Sequence, residues 1–163
     1  MKLLFSSLKA GIIIGILDGF AAVINAYLRS GTDPKQVFRF IASGYFGAKA
    51  FILGSKFIYW GVLFHFLIAF GWTLLFFLLY ANRSLIRKHY LASGAVYGIF
   101  VWGIMSGIVV PLSRTPNLSF SYTGAAIMLG IHILIIGVPV AVLAKKYLGD
   151  KKKKKRKPKA VTR

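Results

Sequence analysis

Residues 57–80 carry no formal charge, and this run decides more about the chain than any other feature. At about 1.5 Å per helical residue it covers the roughly 30 Å hydrocarbon layer of a bilayer. Tyr59 and Trp60 open it and Tyr80 closes it, as aromatic belts do at lipid interfaces, and only His65 and Thr73 interrupt it. Residues 10–28 form a second apolar run broken by Asp18 and Asn25; residues 91–112 form a glycine-rich third that Pro111 is expected to stop. Residues 122–144 form the fourth, with His132 at its centre and Pro139 as an expected kink. Hydrophobic residues make up 57% and charged residues 15%, far from the near-even apolar content and quarter charge of soluble domains. The expected fold is therefore all-α, an integral membrane four-helix bundle. A four-span membrane domain would occupy residues 1–144 and a disordered polybasic cytoplasmic tail residues 145–163. A cleaved signal peptide is the rival reading of the first run, since Lys2 and Lys9 precede it and small residues follow near Ala26; the central Asp18 and the length of the run argue against it.

The connections differ in character. In residues 29–56, Thr32 and Asp33 precede Pro34 as a helix start, and Val37, Phe38, Phe40 and Ile41 follow. A short interfacial helix is expected there. Residues 41–54 are too short and too rich in glycine to span, yet apolar enough to lie in the headgroups or to re-enter the bilayer under cover of other helices. From Lys145 onward eleven Lys and Arg face only Asp150, so the positive-inside rule places the C-terminus in the cytoplasm and, with four spans, the N-terminus too. Arg83, Arg87 and Lys88 of the second loop agree. Arg29, Lys35, Arg39, Lys49 and Lys56 of the first loop oppose it, unless they bind headgroups.

Several chemistries are excluded by residue supply. There is no Cys, hence no disulfide, thiolate metal site or cysteine nucleophile, and the acidic residues are Asp18, Asp33 and Asp150 alone. Paired-carboxylate hydrolysis and carboxylate-rich metal sites are thereby removed. Ser106, Ser113 and Thr115 give no serine triad without an assumed fold, and no phosphate-binding glycine loop follows a strand. No cofactor is called for.

Gly11, Gly15 and Gly19 fall four apart, as do Gly94 with Gly98 and Gly103 with Gly107. Such spacing lets helix backbones approach closely in lipid, where packing holds helices together, so all seven are expected at helix contacts. A glycine-rich span followed by a histidine-bearing span occurs twice. This reads either as a weak parallel repeat or as coincidence.

Counting residues from the span ends puts Asp18 and His65 roughly 12 Å deep and His132 roughly 15 Å deep, all near the midplane. An ionisable group there costs at least about 2.5 kcal/mol on insertion scales, so it usually faces the bundle interior and pairs. A carboxylate beside imidazoles is an arrangement that can exchange protons. The plainer reading is that Asp18 bonds a neighbouring helix, each histidine donates to a backbone carbonyl, and all three fix helix register. One histidine from each of two helices can also supply bis-axial haem ligation, although nothing else in the spans marks a haem site. His89 beside Lys88 is expected to be solvated.

At the outer face, Ser113, Arg114 and Asn117 could hold an anionic group; the alternative is a turn whose arginine snorkels to lipid phosphate. Lys151, Lys152, Lys153, Lys154, Lys155, Arg156 and Lys157 form a self-repelling block directly after a span. Its expected partners are the bilayer and its anionic headgroups, at about 1 kcal/mol per charge, rather than nucleic acid.

The glycine-rich acid-bearing stretch 15–22, residues 41–51 (IASGYFGAKAF), 65–69 (HFLIA) and 109–113 (VVPLS) resemble those of a group of small bacterial inner-membrane proteins, across most of residues 10–140. More distantly, the histidine-bearing second span and the third span closing on proline are similar to the YagU-like inner-membrane family, associated with acid resistance. The long hydrophilic insert of that family is missing here. The resemblance implies proton-related physiology in a bacterial inner membrane and supplies no mechanism. Three functional readings stand: proton-linked transport or an acid-stress role through Asp18, His65 and His132, with a homo-oligomer expected because four spans enclose little room; a non-catalytic structural or accessory protein with a lipid-binding tail; and, more weakly, a bis-histidine haem protein or a lipid-modifying enzyme.

Overall fold

A computed structural model describes residues 1–116 and 121–149, so Asn117 and the basic block from Lys151 to Lys157 lie outside the described residues. Among the described residues there are seven helices and no strand. They are α1 (Lys2–Ser30), α2 (Pro34–Phe46), α3 (Lys49–Ile52), α4 (Lys56–Asn82), α5 (Ser84–Lys88), α6 (Tyr90–Leu112) and α7 (Tyr122–Leu148). Helices α1, α4, α6 and α7 are long and apolar enough to cross a membrane, which makes the chain a multi-pass membrane protein.

Helix ends follow local chemistry. Gly31 takes the left-handed conformation (φ 63°) and its N–H bonds the Tyr27 carbonyl, stopping α1. Asp33 then caps α2 by accepting from the Lys35 N–H at 2.7 Å, with Pro34 at the first helical position as its sequence predicts. Ser121 caps α7 by accepting from the Gly124 N–H at 3.2 Å.

Two expected boundaries need correction. The first span is part of a longer helix beginning at Lys2, because Leu3 packs against the core and Ser7 satisfies its buried hydroxyl on the Leu4 carbonyl at 2.9 Å. The fourth runs past residue 144 to Leu148, where Lys145 stacks over the Tyr90 ring at 4.0 Å. The third span ends where expected, at Leu112, one residue past Pro111, and Ser113 beyond it is extended. Each intramembrane proline is preceded by a π-helical segment, Met105–Val109 before Pro111 and His132–Gly137 before Pro139. A proline ring collides with the carbonyl four residues back; the wider π turn moves that carbonyl aside, so the helix accommodates Pro111 in its last turn and runs on past Pro139 to Leu148.

α1 packs against α4 and α6 against α7, each as an antiparallel hairpin, and the hairpins join through α1 and α7. The backbones of α4 and α6 stand apart, bridged by the Tyr97 hydroxyl on the Trp72 carbonyl at 2.6 Å and by the Phe76 and Tyr97 rings at 4.9 Å, and beside these lies an open apolar groove lined by Ile68, Gly71, Trp72, Leu75, Met105 and Val109. The core gathers Ala10, Ile14, Phe76, Phe77, Tyr80, Tyr97, Val101, Val140 and Ala144. Because α1 begins and α7 finishes beside this cluster, both lie at one end of the bundle, here called basal; the other end is apical.

The glycines set how closely the helices pack. A Cβ on Gly11 would stand 3.1 Å from the Phe70 Cα, on Gly15 2.7 Å from the Phe66 ring, and on Gly19 3.2 Å from His65 Nε2. On Gly94 and Gly98 it would meet the carbonyl oxygens of Gly137 and His132, each at 2.5 Å. Gly103 and Gly107 correct the expectation, since neither has anything within 4 Å. Gly103 follows Gly98 by five residues, so it lies about 140° round the helix from the packed face.

The expected interfacial helix and the stretch 41–54, expected as interfacial or re-entrant, form α2, laid across the apical half of α4, and α3, packed on α2. The backbone of Phe38 occupies the place a Gly61 Cβ would take. Phe46 adds ring contacts to Phe57 at 5.0 Å and Trp60 at 5.8 Å, and Arg39 donates to the Phe51 carbonyl at 2.7 Å. Gly61→Leu is therefore expected to lever α2 off α4 and to lower stability by about 1–3 kcal/mol, read as the midpoint of thermal unfolding in mild detergent.

Candidate functional site

The structure brings together the three ionisable groups that residue counting puts at one depth. His65 on α4 and His132 on α7 are buried, and Asp18 on α1 is half-buried between them, within electrostatic reach of both. The glycine ladder of α1 makes this approach possible. His65 lies over Gly19, and its Nε2 donates to the Gly15 carbonyl at 2.8 Å. A carbonyl can only accept, so His65 carries its proton on Nε2. The same argument puts a proton on His132 Nδ1, which lies 2.8 Å from the Met128 carbonyl one turn back in its own helix. The nitrogens left for exchange are His65 Nδ1 and His132 Nε2.

Asp18 differs from both. Among the described residues it makes no direct hydrogen bond or ion pair. The three groups do not converge closely enough to share a metal ion, and no other group of three His, Cys, Asp or Glu does so among the described residues. Haem ligation fits poorly as well, because His65 Nε2, the usual ligating atom, is bound to the Gly15 carbonyl. The Phe38 ring closes over His65 from α2, edge-on with centroids 6.2 Å apart, and Phe66 flanks it at 5.5 Å.

Two residues extend the site beyond its sequence outline. Asn25 donates to the Met128 sulfur at 3.3 Å, and the Arg29 guanidinium rests on Gly124, 2.5 Å from where a Cβ would stand. Asp18, Asn25 and Arg29 are spaced by seven and four residues, which puts them on one face of α1, toward α7. That spacing is the sequence signal by which the two could be found.

The turn of Ser113 and Arg114 lies apart from this cluster. Ser113 Oγ donates to the Val110 carbonyl at 2.7 Å and lies 2.6 Å from Thr115 Oγ1, while the Arg114 N–H donates to the Gly44 carbonyl at 3.0 Å. Its hydroxyls are thus engaged in closing the turn and its backbone docks on α2, with the Arg114 side chain exposed. Serving as the latch between the end of α6 and α2 is the role these contacts give it.

Fold and site together define a multi-pass helical membrane protein with a carboxylate set between two imidazoles inside the bundle. Scanning protein-family models finds none that matches the chain, and searches of curated proteins and of solved structures return no match.

Proposed function

We propose that this chain handles protons in a bacterial inner membrane, Asp18 exchanging them with His65 and His132 in proton-linked transport or an acid-stress response. The observation that carries the reading is the missing direct partner of Asp18. An intramembrane carboxylate kept only to fix helix register would hold a hydrogen bond to a neighbour; this one faces two imidazoles, each with a nitrogen to spare. The proposed orientation puts the basal end in the cytoplasm, with Lys2, Lys9, Arg83, Lys88, Lys145, Lys146 and the basic tail against anionic headgroups. The acid-resistance setting of the YagU-like family suits this proposal.

A second reading has its own support. The His65 bond to the Gly15 carbonyl ties α4 to α1, as a structural or accessory protein would need. Reconstitution into liposomes with an entrapped pH dye separates the two. Wild type is expected to dissipate an imposed pH gradient, and Asp18→Asn to do so slower by a factor on the order of ten or more with an unchanged unfolding midpoint. Wild type no faster than empty liposomes, or a variant as fast as wild type, would leave the accessory role.

A further inference from the structure

The distribution of burial around Asp18 is lopsided. The buried residues of α1 are Ser6, Ser7, Ala10, Gly11, Ile14 and Gly15, all basal to Asp18, and α6 buries nothing after Val101. The largest fully buried side chains are Phe76, Phe77, Ile14, Val101 and Val140, which share one cluster, followed by Thr73 and Ser7. Ile14 sits one turn from Asp18 on the basal side and is 1% exposed, so this cluster forms an apolar plug directly beneath the carboxylate. A charged or hydrated species crossing it would lose its water for little in return, because the Ser7 and Tyr97 hydroxyls at this level already donate to the Leu4 and Trp72 carbonyls and the buried Thr73 adds one more hydroxyl.

The apical side offers the opposite surroundings. The face of α1 toward α7 continues from Asp18 through Ala22 to Asn25 and Arg29, and none of these is buried. Asn25 lends a side-chain amide, and Arg29 is exposed at the rim, where solvent and salt screen its charge. Phe38 on α2 and Phe66 on α4 wall the route on the His65 side.

We infer that the Asp18 cluster communicates with one end of the bundle only, the apical end, along the Asn25 face of α1, and that Ile14, Phe76, Phe77, Val101 and Val140 form the barrier that closes the basal route. What travels along the route rests on the proton reading above; the route itself rests on packing. In the proposed orientation the structure represents an outward-accessible, inward-closed state.

The chain has no cysteine, so each introduced thiol is unique. Single variants Ala22→Cys and Asn25→Cys report the apical face, and Ala10→Cys and Ile14→Cys report the plug. Each full-length variant is reconstituted in liposomes and treated with a membrane-impermeant thiol reagent from either side. The apical thiols are expected to react faster than the plug thiols by a factor on the order of ten or more, and from one side only, because a buried thiol waits for local opening. Ala10→Cys guards against misfolding of Ile14→Cys, as Ala22→Cys does for Asn25→Cys. Equal labelling of plug and apical thiols, or unreactive apical thiols in protein with a wild-type unfolding midpoint, overturns the inference. Gradient dissipation in the same vesicles keeps the two ideas separate. One-sided labelling without Asp18-dependent flux sinks the proton reading and keeps the route; Asp18-dependent flux with uniform labelling does the reverse.

Discussion

Gly94→Leu is expected to unfold at a clearly lower midpoint and with a lower yield, whereas Gly103→Leu, nine residues along the same helix, is expected to behave as wild type. At Gly94 a Cβ would stand 2.5 Å from the Gly137 carbonyl oxygen and 2.7 Å from the Ala141 Cβ. The first of these is backbone and cannot rotate out of the way. The α6–α7 hairpin must then open along its length, with loss of the matching contact of Gly98 on His132. Overpacking of this kind costs about 3 kcal/mol, a large part of a stability of roughly 5–15 kcal/mol. At Gly103 nothing lies within 4 Å, and the change should fall within about 0.5 kcal/mol. Yield and unfolding midpoint in mild detergent measure both. Equal midpoints for the two variants would mean that the α6–α7 contact is not made at Gly94.

The same pair of residues shows where sequence reasoning stops. Four-residue spacing marks both glycine pairs of α6 alike, and only the five-residue step between Gly98 and Gly103 separates the packed face from the open one. The spans themselves are plain to read, because long uncharged runs have no alternative solvent to lipid. Counting alone places Asp18, His65 and His132 at a common depth, since helical rise is uniform. The course of α1 before residue 10 is hidden because Ser6 and Ser7 look polar, although Ser7 bonds its own helix and both are buried. Pro111 marks the end of its span correctly, whereas the π turns before Pro111 and Pro139 have no sequence signature of their own. Least legible is α2, whose path over α4 depends on Gly61, a glycine that looks like any other in an apolar run.

His65→Gln and His132→Asn are expected to keep the fold and abolish proton exchange, and the choice of amide in each follows from the geometry. A glutamine amide nitrogen falls near the position of imidazole Nε2, so His65→Gln can still donate to the Gly15 carbonyl and tie α4 to α1. An asparagine amide nitrogen falls near Nδ1, so His132→Asn can still donate to the Met128 carbonyl. Neither amide titrates, so each variant removes the proton-accepting nitrogen while keeping the bond that holds the side chain in place. Stability should stay within about 1 kcal/mol of wild type, and gradient dissipation should fall by a factor on the order of ten or more. His65→Ala provides the contrast, since it loses the tie and leaves a cavity under Phe38, at a cost of about 2 kcal/mol or more. If the proton reading is right, flux tracks the titratable nitrogen and stability tracks the donor, so the two readouts separate in the amide variants and fall together in the alanine one. If instead the amide variants retain both stability and flux, the imidazoles act only through the N–H groups that bind Gly15 and Met128, and Asp18 has no proton partner on α4 or α7.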